Sequence, residues 1–443
     1  MTKKGGEIIM SDYFITEVST SASDTNEQIV TLLETEGIHK DKNLDYTCAM
    51  FDEDMQVIAT GSCFSNTLRC LAVSSAHQGE GLMNQILTHL ISVQFSRGNT
   101  HLFLYTKCSS APFFADLGFY EIANIKNQIV FMENKRNGFS SYLEKLEQDS
   151  AMQNAKLLET IISKDNLLVK EKTTKLSTFV SEEKCILLAE EKNTESADAL
   201  SKVSKPNTLT ESSAANLQKT PGSVKTAALV INANPFTLGH QYLVEKAARE
   251  NDILHLFIVE EDASLIPFSI RKRLVLEGTS HLPNIIYHDS GPYIISKATF
   301  PGYFQKDEQA VMESHAELDL AVFIKIAETL HITKRYIGEE PFSETTGIYN
   351  KVMAEKLPEN GIDCIIVPRK QYIDTENKRK NDTKDMPSHS FPISASTVRQ
   401  AIKEENFTLL KQLVPETTLQ YFESEESIPV IKKIQATKDV IHH

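Results

Sequence analysis

The chain reads as an α/β protein in which a parallel sheet, covered by helices on both faces, follows an α+β domain and a polar connecting stretch. Three observations predict this. Five short apolar runs, Ala227–Ile231, Ile253–Val259, Ile285–Tyr287, Arg335–Ile337 and Cys364–Val367, alternate with helix-spaced stretches. Near-continuous apolar strands separated by helices mark a parallel sheet buried on both sides. Earlier, "YTCAMFD", "QVIATGSCF" and "HLFLYT" alternate as strands do and are mixed with helical patterns. Between the two regions, "EEKNTESADALSKVSKPNTLTESSAANLQKTPGS" is too poor in apolar side chains for burial to offset the entropy of ordering it.

At 443 residues the chain exceeds one ordinary domain. The predicted boundaries are 11–137 for the first domain, 138–225 for a flexible, largely disordered polar linker, 226–424 for the second domain and 425–443 for a C-terminal tail. Two pieces of the linker, "NAKLLETIISKDNLLVKEK" and "EKCILLAEEK", carry Leu and Ile at helical spacing. They are expected as isolated amphipathic helices or as helices docked on a domain. The opening "MTKKGGEIIM" reads as a dispensable lead-in, since Met10 serves equally well as a first residue.

Composition excludes several functions. A net charge of -14 argues against a nucleic-acid binder, so any polyanionic ligand must be held by local groups. The six cysteines show no C-x-x-C pair and no zinc spacing, which suits a reducing compartment. No signal peptide and no bilayer-length apolar run is present, so a cytoplasmic protein without a membrane partner is expected.

The chemistry concentrates at the end of the first parallel strand, in "NANPFTLGHQYLVEKAA". Asn232, Asn234 and Pro235 turn the chain sharply out of the strand, and Gly239 permits close backbone approach. The following helix packs through Leu243, Val244, Ala247 and Ala248, which puts His240 at its free N-terminal end. That end favours an anion, and an imidazole there can donate to charge developing on phosphorus. The competing reading is that His240 only caps its helix. A second segment, "FPISASTVRQAIKEENF", places Ser394 as an N-cap, with Ser396 and Arg399 on one face of the same helix end. Hydroxyls, N–H groups and a guanidinium fork make a polyphosphate clamp, and a cap needs no arginine. A third segment, "IPFSIRKRLVLEG", begins a helix with Arg271 and Arg273, either of which can face solvent.

Thr237-Leu238-Gly239-His240 and Ile393-Ser394-Ala395-Ser396-Thr397-Val398-Arg399 resemble the (His/Thr)-x-Gly-His and Ile-Ser-x-(Ser/Thr)-x-x-Arg motifs of the nucleotidylyltransferase superfamily, whose fold is Rossmann-like. Five blocks in order narrow the match. "VINANPFTLGHQYLVEKAA", "LHLFIVEEDASLIPFSIRKRLVLEGT", "YIISKATFPGYF", "RYIGEEPFSETTGIYN" and "FPISASTVRQAI" resemble the citrate (pro-3S)-lyase ligase family. The resemblance implies a ligase that activates acetate with ATP and acetylates a thiol. The thiol is that of the dephospho-CoA-like prosthetic group on the acyl carrier subunit of citrate lyase. It implies ATP contacts from Asn232, Asn234, Pro235, Phe236, Thr237, Gly239, His240, Ser394, Ser396 and Arg399, with His240, Arg271 and Arg399 in catalytic roles. Mg²⁺ is implied by ATP chemistry, since no His/Asp/Glu cluster with metal spacing stands out. The block around Gly338, Glu340, Tyr349 and Asn350 receives no role. An adenylyltransferase acting on a pantetheine-phosphate or nicotinamide-mononucleotide type of acceptor needs the same His240 and Arg399, and stays open. A non-catalytic, CoA-responsive binding protein is the more distant alternative.

In the first domain, a strand at Leu68–Val73 leads through Gly79-x-Gly81 into a helix carrying Leu82, Ile86, Leu87 and Leu90. With "PFFADLGF", this resembles the GNAT acetyltransferase domain. The resemblance implies that Gly79 and Gly81 present N–H groups to the pyrophosphate of the CoA-like prosthetic group. Ala76 stands where that pattern has Gln or Arg, so no acetyltransferase catalysis is assigned.

Overall fold

The computed structural model describes residues 13–19, 22–41, 43–155, 224–260, 264–294, 308–339, 344–373 and 390–438. The first domain runs β1 (Phe14–Glu17), α1 (Ser23–Thr35), β2 (Tyr46–Phe51), β3 (Val57–Phe64), β4 (Thr67–Val73), α2 (Leu82–Ser96), β5 (Phe103–Lys107), α3 (Ala111–Asp116), β6 (Tyr120–Ile125) and β7 (Ile129–Glu133). Its sheet has the order β1-β2-β3-β4-β5-β7-β6. Every neighbouring pair is antiparallel except β4–β5, which is parallel and joined only at Thr67↔Phe103 and Leu68↔Leu104. Beyond those two pairs the strands part, and the gap between them is where α2 begins. This is a GNAT-like arrangement.

Helix α4, residues 138–155, opens the stretch read as a linker. Phe139 and Leu146 are buried, and the Phe139 N–H donates to the buried Glu133 carboxylate at 2.7 Å. Phe139, Tyr142, Leu143 and Leu146 form a helical apolar stripe that the polar composition of the whole stretch conceals. The two amphipathic pieces further on lie outside the described residues, apart from Asn154 and Ala155 at the end of α4.

The second domain continues with β8 (Thr226–Ile231), α5 (Leu238–Glu250), β9 (Ile253–Ile258), α6 (Phe268–Gly278), β10 (Ile285–Asp289), α7 (Glu308–Thr329), β11 (Lys334–Gly338), α8 (Glu344–Glu359) and β12 (Asp363–Val367). The five strands lie in the order β10-β9-β8-β11-β12, all parallel. Successive residues of β8 serve opposite faces. Ala227, Leu229 and Ile231 join the core with α5 and α6, and Ala228 joins the core with α7. Two-sided burial explains why the strands read as unbroken apolar runs. The strand order reverses between β8 and β11, and ligands of such sheets bind beyond the carboxyl ends at that point.

A ribbon of β13 (Gln371–Ile373) and β14 (Ser390–Pro392) follows, then α9 (Ala395–Lys403), α10 (Phe407–Leu413), α11 (Glu416–Glu423) and α12 (Ile428–Ala436). The stretch read as a tail contains α12, whose Val430 and Ile434 are buried in the second domain's core. Among the described residues no helix is long and apolar enough to cross a membrane.

His255 on β9 and His288 on β10 face each other in the interior, Nδ1 to Nε2 at 2.9 Å. Burial holds both imidazoles well below the usual histidine pKa, and for His255 the neighbouring His288 adds to the effect. An unfolded chain therefore takes up protons from about pH 6.5 downward that the folded one refuses. Stability is full above that pH and falls progressively below it. The urea midpoint is expected to drop between about pH 7 and pH 5, with protons taken up on unfolding. A midpoint constant across that range contradicts the assignment.

Candidate active site

The loop leaving β8 carries a cis Asn234–Pro235 bond and a left-handed Ala233 (φ 51°) before Thr237 returns to extended backbone and caps α5. Thr237 Oγ1 accepts from the His240 N–H at 3.2 Å, and His240 Nδ1 accepts from the Thr237 N–H at 3.1 Å. The capping reading of His240 is thus realised, but on one ring nitrogen only. With Nδ1 accepting, the ring proton is assigned to Nε2, which leaves an N–H donor on the far side. The residue is half-buried, and its ring stacks on Phe236 at 5.9 Å between centroids. Its pKa is lowered to about 4, first by burial and then by the charges of Arg369 and Arg399. At neutral pH His240 is an uncharged imidazole with a fixed tautomer.

The second segment arrives at the same place. Ser394 caps α9, its Oγ accepting from the Thr397 N–H at 3.1 Å and lying 2.9 Å from Ser396 Oγ. Arg399, 3% exposed, donates from Nη1 to the Asn234 carbonyl at 2.6 Å, across 165 residues of sequence. At Gly239 a Cβ would lie 2.7 Å from the Ile393 carbonyl oxygen, closer than a side chain tolerates. The missing side chain is what lets the starts of α5 and α9 meet. The starts of α5 and α9 therefore meet beyond the strand ends, with His240 on one and Ser394, Ser396 and Arg399 on the other, residue types suited to a polyphosphate.

Arg271, expected in a catalytic role, is held by backbone acceptors. It is fully buried, donating from Nε to Ile266 O at 3.0 Å and from Nη1 to Asn232 O at 2.6 Å, Asn232 Oδ1 at 2.7 Å and Val259 O at 2.9 Å. These acceptors cluster where β8 and β9 end, so the guanidinium braces the site loops from inside. Asn234 is tied to the same framework, its Oδ1 accepting from Ile266 N at 3.2 Å. Arg271→Ala leaves several buried carbonyls without a donor and is expected to cost about 3 kcal/mol or more in stability. Lysine cannot reproduce the fork and is expected to rescue little of it, as thermal melts of the two variants will read.

Arg369 lies in the turn after β12, outside the sequence motifs. Its Nε donates to Glu339 O at 2.7 Å, and the adjacent Lys370 carbonyl accepts from Ile393 N at 2.9 Å, joining this turn to the start of α9. The only sequence signal is a basic pair directly after the last parallel strand. Asn350 donates to Gly338 O at 3.0 Å at the end of β11, and Tyr349 donates to Asp319. Glu340 lies outside the described residues. Among the described residues no group of three or more His, Cys, Asp or Glu is placed to hold a metal ion.

Gly79 and Gly81 line a separate cleft of about 610 Å³ in the first domain, between the parting ends of β4 and β5. Both are left-handed, φ 88° and 78°, and a Cβ on either would meet nothing, so conformation and not space calls for glycine here. Ala76 sits in the short turn Ser75–His77 before them, where Glu36 accepts from the Ser75 N–H at 2.9 Å.

A family model for the citrate lyase ligase C-terminal domain matches residues 226–422. Across most of its length the chain is similar to the citrate (pro-3S)-lyase ligase of Escherichia coli K12, 30% identical over 388 residues, covering 87% of each chain. The Klebsiella pneumoniae enzyme of the same name is 30% identical over 383 residues, covering 86% of this chain and 88% of that one. This chain belongs to the citrate lyase ligase family. As a citrate lyase ligase relative it is an enzyme, and the span matched by the family model encloses both Thr237–His240 and Ser394–Arg399. Among solved structures, a GNAT-family acetyltransferase from Staphylococcus aureus Mu50 is 14% identical, covering 28% of this chain and 99% of its own, with a TM-score of 0.24. An acyl-CoA N-acyltransferase from Pseudomonas aeruginosa is 12% identical over a similar span, 28% and 99%, with the same TM-score of 0.24. The first domain is GNAT-like by its own strand order, with β4 and β5 parting after two paired residues.

Proposed function

We propose that the chain is an AMP- and pyrophosphate-forming ligase that activates acetate as acetyl-adenylate and passes the acetyl group to a carrier thiol. The carrier is the acyl carrier subunit of citrate lyase with its dephospho-CoA-like prosthetic group, and the reaction belongs in the cytoplasm. The observation that carries this reading is the junction at Gly239 and Ile393, which brings His240 and Arg399 to one spot.

ATP would lie over the strand ends with its phosphates at the starts of α5 and α9, and Mg²⁺ carried in with the nucleotide would offset phosphate charge there. An acetate oxygen attacks the α-phosphorus, and the bond to the leaving pyrophosphate breaks. His240 donates its Nε2–H to a phosphoryl oxygen as charge grows there. Ser394, Ser396 and Arg399 hold the phosphates that depart. Positioning and electrostatics supply most of the acceleration in such a transfer, with little covalent work from the protein. The carrier thiol then attacks the acetyl carbonyl, and AMP leaves with the bonding pair of the acyl–oxygen bond. The cleft at Gly79 and Gly81, in a first domain taken as 11–137, binds the prosthetic arm and steers its thiol.

Incubation with ATP, Mg²⁺ and labelled acetate, with and without deacetylated citrate lyase, tests this. Acetate-dependent pyrophosphate release and a labelled carrier are expected. ATP consumption only with a phosphate-ester acceptor, or no turnover under any condition, rules the reading out.

A further inference from the structure

We propose that the outward side of α3 is the docking surface for the protein that carries the prosthetic arm, with Phe113 and Leu117 as its apolar contacts. The proposal rests on the reading of the cleft at Gly79 and Gly81 as the place of that arm, and adds the seat of the carrier beside it. Helix α3 is anchored from within. Phe114 and Phe119 are buried, their rings edge-on at 6.5 Å, and Phe113 packs edge-on against Phe114 at 5.3 Å. Outward, Pro112, Phe113, Ala115 and the capping residue Leu117 are exposed, and Asp116 is the one charge among them. Phe113 is 41% and Leu117 37% exposed, and four residues apart they share one face. A merely solvated helix face looks different. On α1 the exposed positions include Asp24, Glu27, Thr31 and Glu34. Large apolar side chains gathered on the outside mark a surface that another molecule covers.

Continuity with the cleft identifies the occupant. The exposed residues of the cleft lining are Gln78, Gly79, Gly81, Asn84, Ser109 and Phe113, and only Phe113 carries a large apolar side chain. The apolar side of α3 therefore begins at the opening of the cleft, while the remaining border offers amides, a hydroxyl and backbone N–H groups that suit the phosphates of the arm. A cavity of about 610 Å³ has the size of a small-molecule site and admits no folded protein. Because the arm is covalently joined to its carrier, the body of the carrier must rest on the rim while the arm is inside. Phe113 and Leu117 are the apolar side chains that this rim presents.

Leu117→Asp and Phe113→Ser test this in the full chain, with thermal melts to establish each fold. Binding of the deacetylated acyl carrier subunit and of free dephospho-CoA is measured by calorimetry. Leu117 lies outside the cleft lining, so Leu117→Asp is expected to weaken the carrier about tenfold or more and to change free dephospho-CoA little. Phe113→Ser is expected to weaken both ligands. Should the aspartate variant fail to fold, Leu117→Gln takes its place with the same expectation. Unaltered carrier affinity in the folded variants, with wild-type protein binding normally, overturns the docking surface alone. A wild-type chain that self-associates and is dissociated by Leu117→Asp assigns the face to a second copy, and overturns it likewise. Wild-type protein that binds neither the carrier nor dephospho-CoA overturns the reading of the cleft itself.

Discussion

His240→Ala is expected to lower kcat about a hundredfold or more, the effect of removing a donor that acts chiefly in the transition state. Substrate affinity should change far less, because the uncharged Nε2–H gains most when negative charge develops on the phosphoryl group. The substitution also removes the acceptor for the Thr237 N–H, a capping loss of about 1 kcal/mol that a folded protein survives. Burial and two nearby arginines hold the imidazole pKa at about 4, so the rate should show no imidazole titration near the ordinary histidine value of about 6.5. Steady-state kinetics against pH will read both effects. Turnover close to wild type in the alanine variant removes His240 from the chemistry.

Gly239→Ala is expected to be nearly as damaging, though it adds only a methyl group. The new Cβ would lie 2.7 Å from the Ile393 carbonyl, a backbone atom that cannot rotate away as a side chain would. Either α5 or the start of α9 must shift, and with it the spacing between His240 and the Ser394–Arg399 group. A displacement near 1 Å can cost about a hundredfold in rate. ATP affinity should fall together with kcat, while the melting temperature changes modestly, since the clash lies at the site and not in the core. The paired measurement is ATP binding and thermal stability. Full ATP affinity in this variant means that the two helix starts do not have to touch.

Much of this was legible in the sequence because the physics is local or periodic. All five parallel strands could be found, since two-sided burial leaves an apolar run that nothing interrupts. The helix start at Thr237–His240 was legible because a capping threonine precedes an apolar helical stripe. The burial of Arg271 was legible in its helix. Arg271, Leu274, Val275 and Gly278 follow the spacing of one buried face, whereas Arg273, off that face, is half-exposed and pairs with Glu426. Helix α4 was overlooked because composition averaged over a long polar stretch outweighs four well-spaced apolar side chains. The tie between the turn after β12 and the start of α9 was beyond local reading, since it depends on the contact of Lys370 with Ile393.

The most direct test is a crystal structure with Mg²⁺ and a non-hydrolysable ATP analogue. One triphosphate is expected within hydrogen-bonding distance of both His240 Nε2 and the Ser394, Ser396 and Arg399 side chains. Phosphates that touch only one of the two helix starts, or a nucleotide lodged in another cavity, would contradict it.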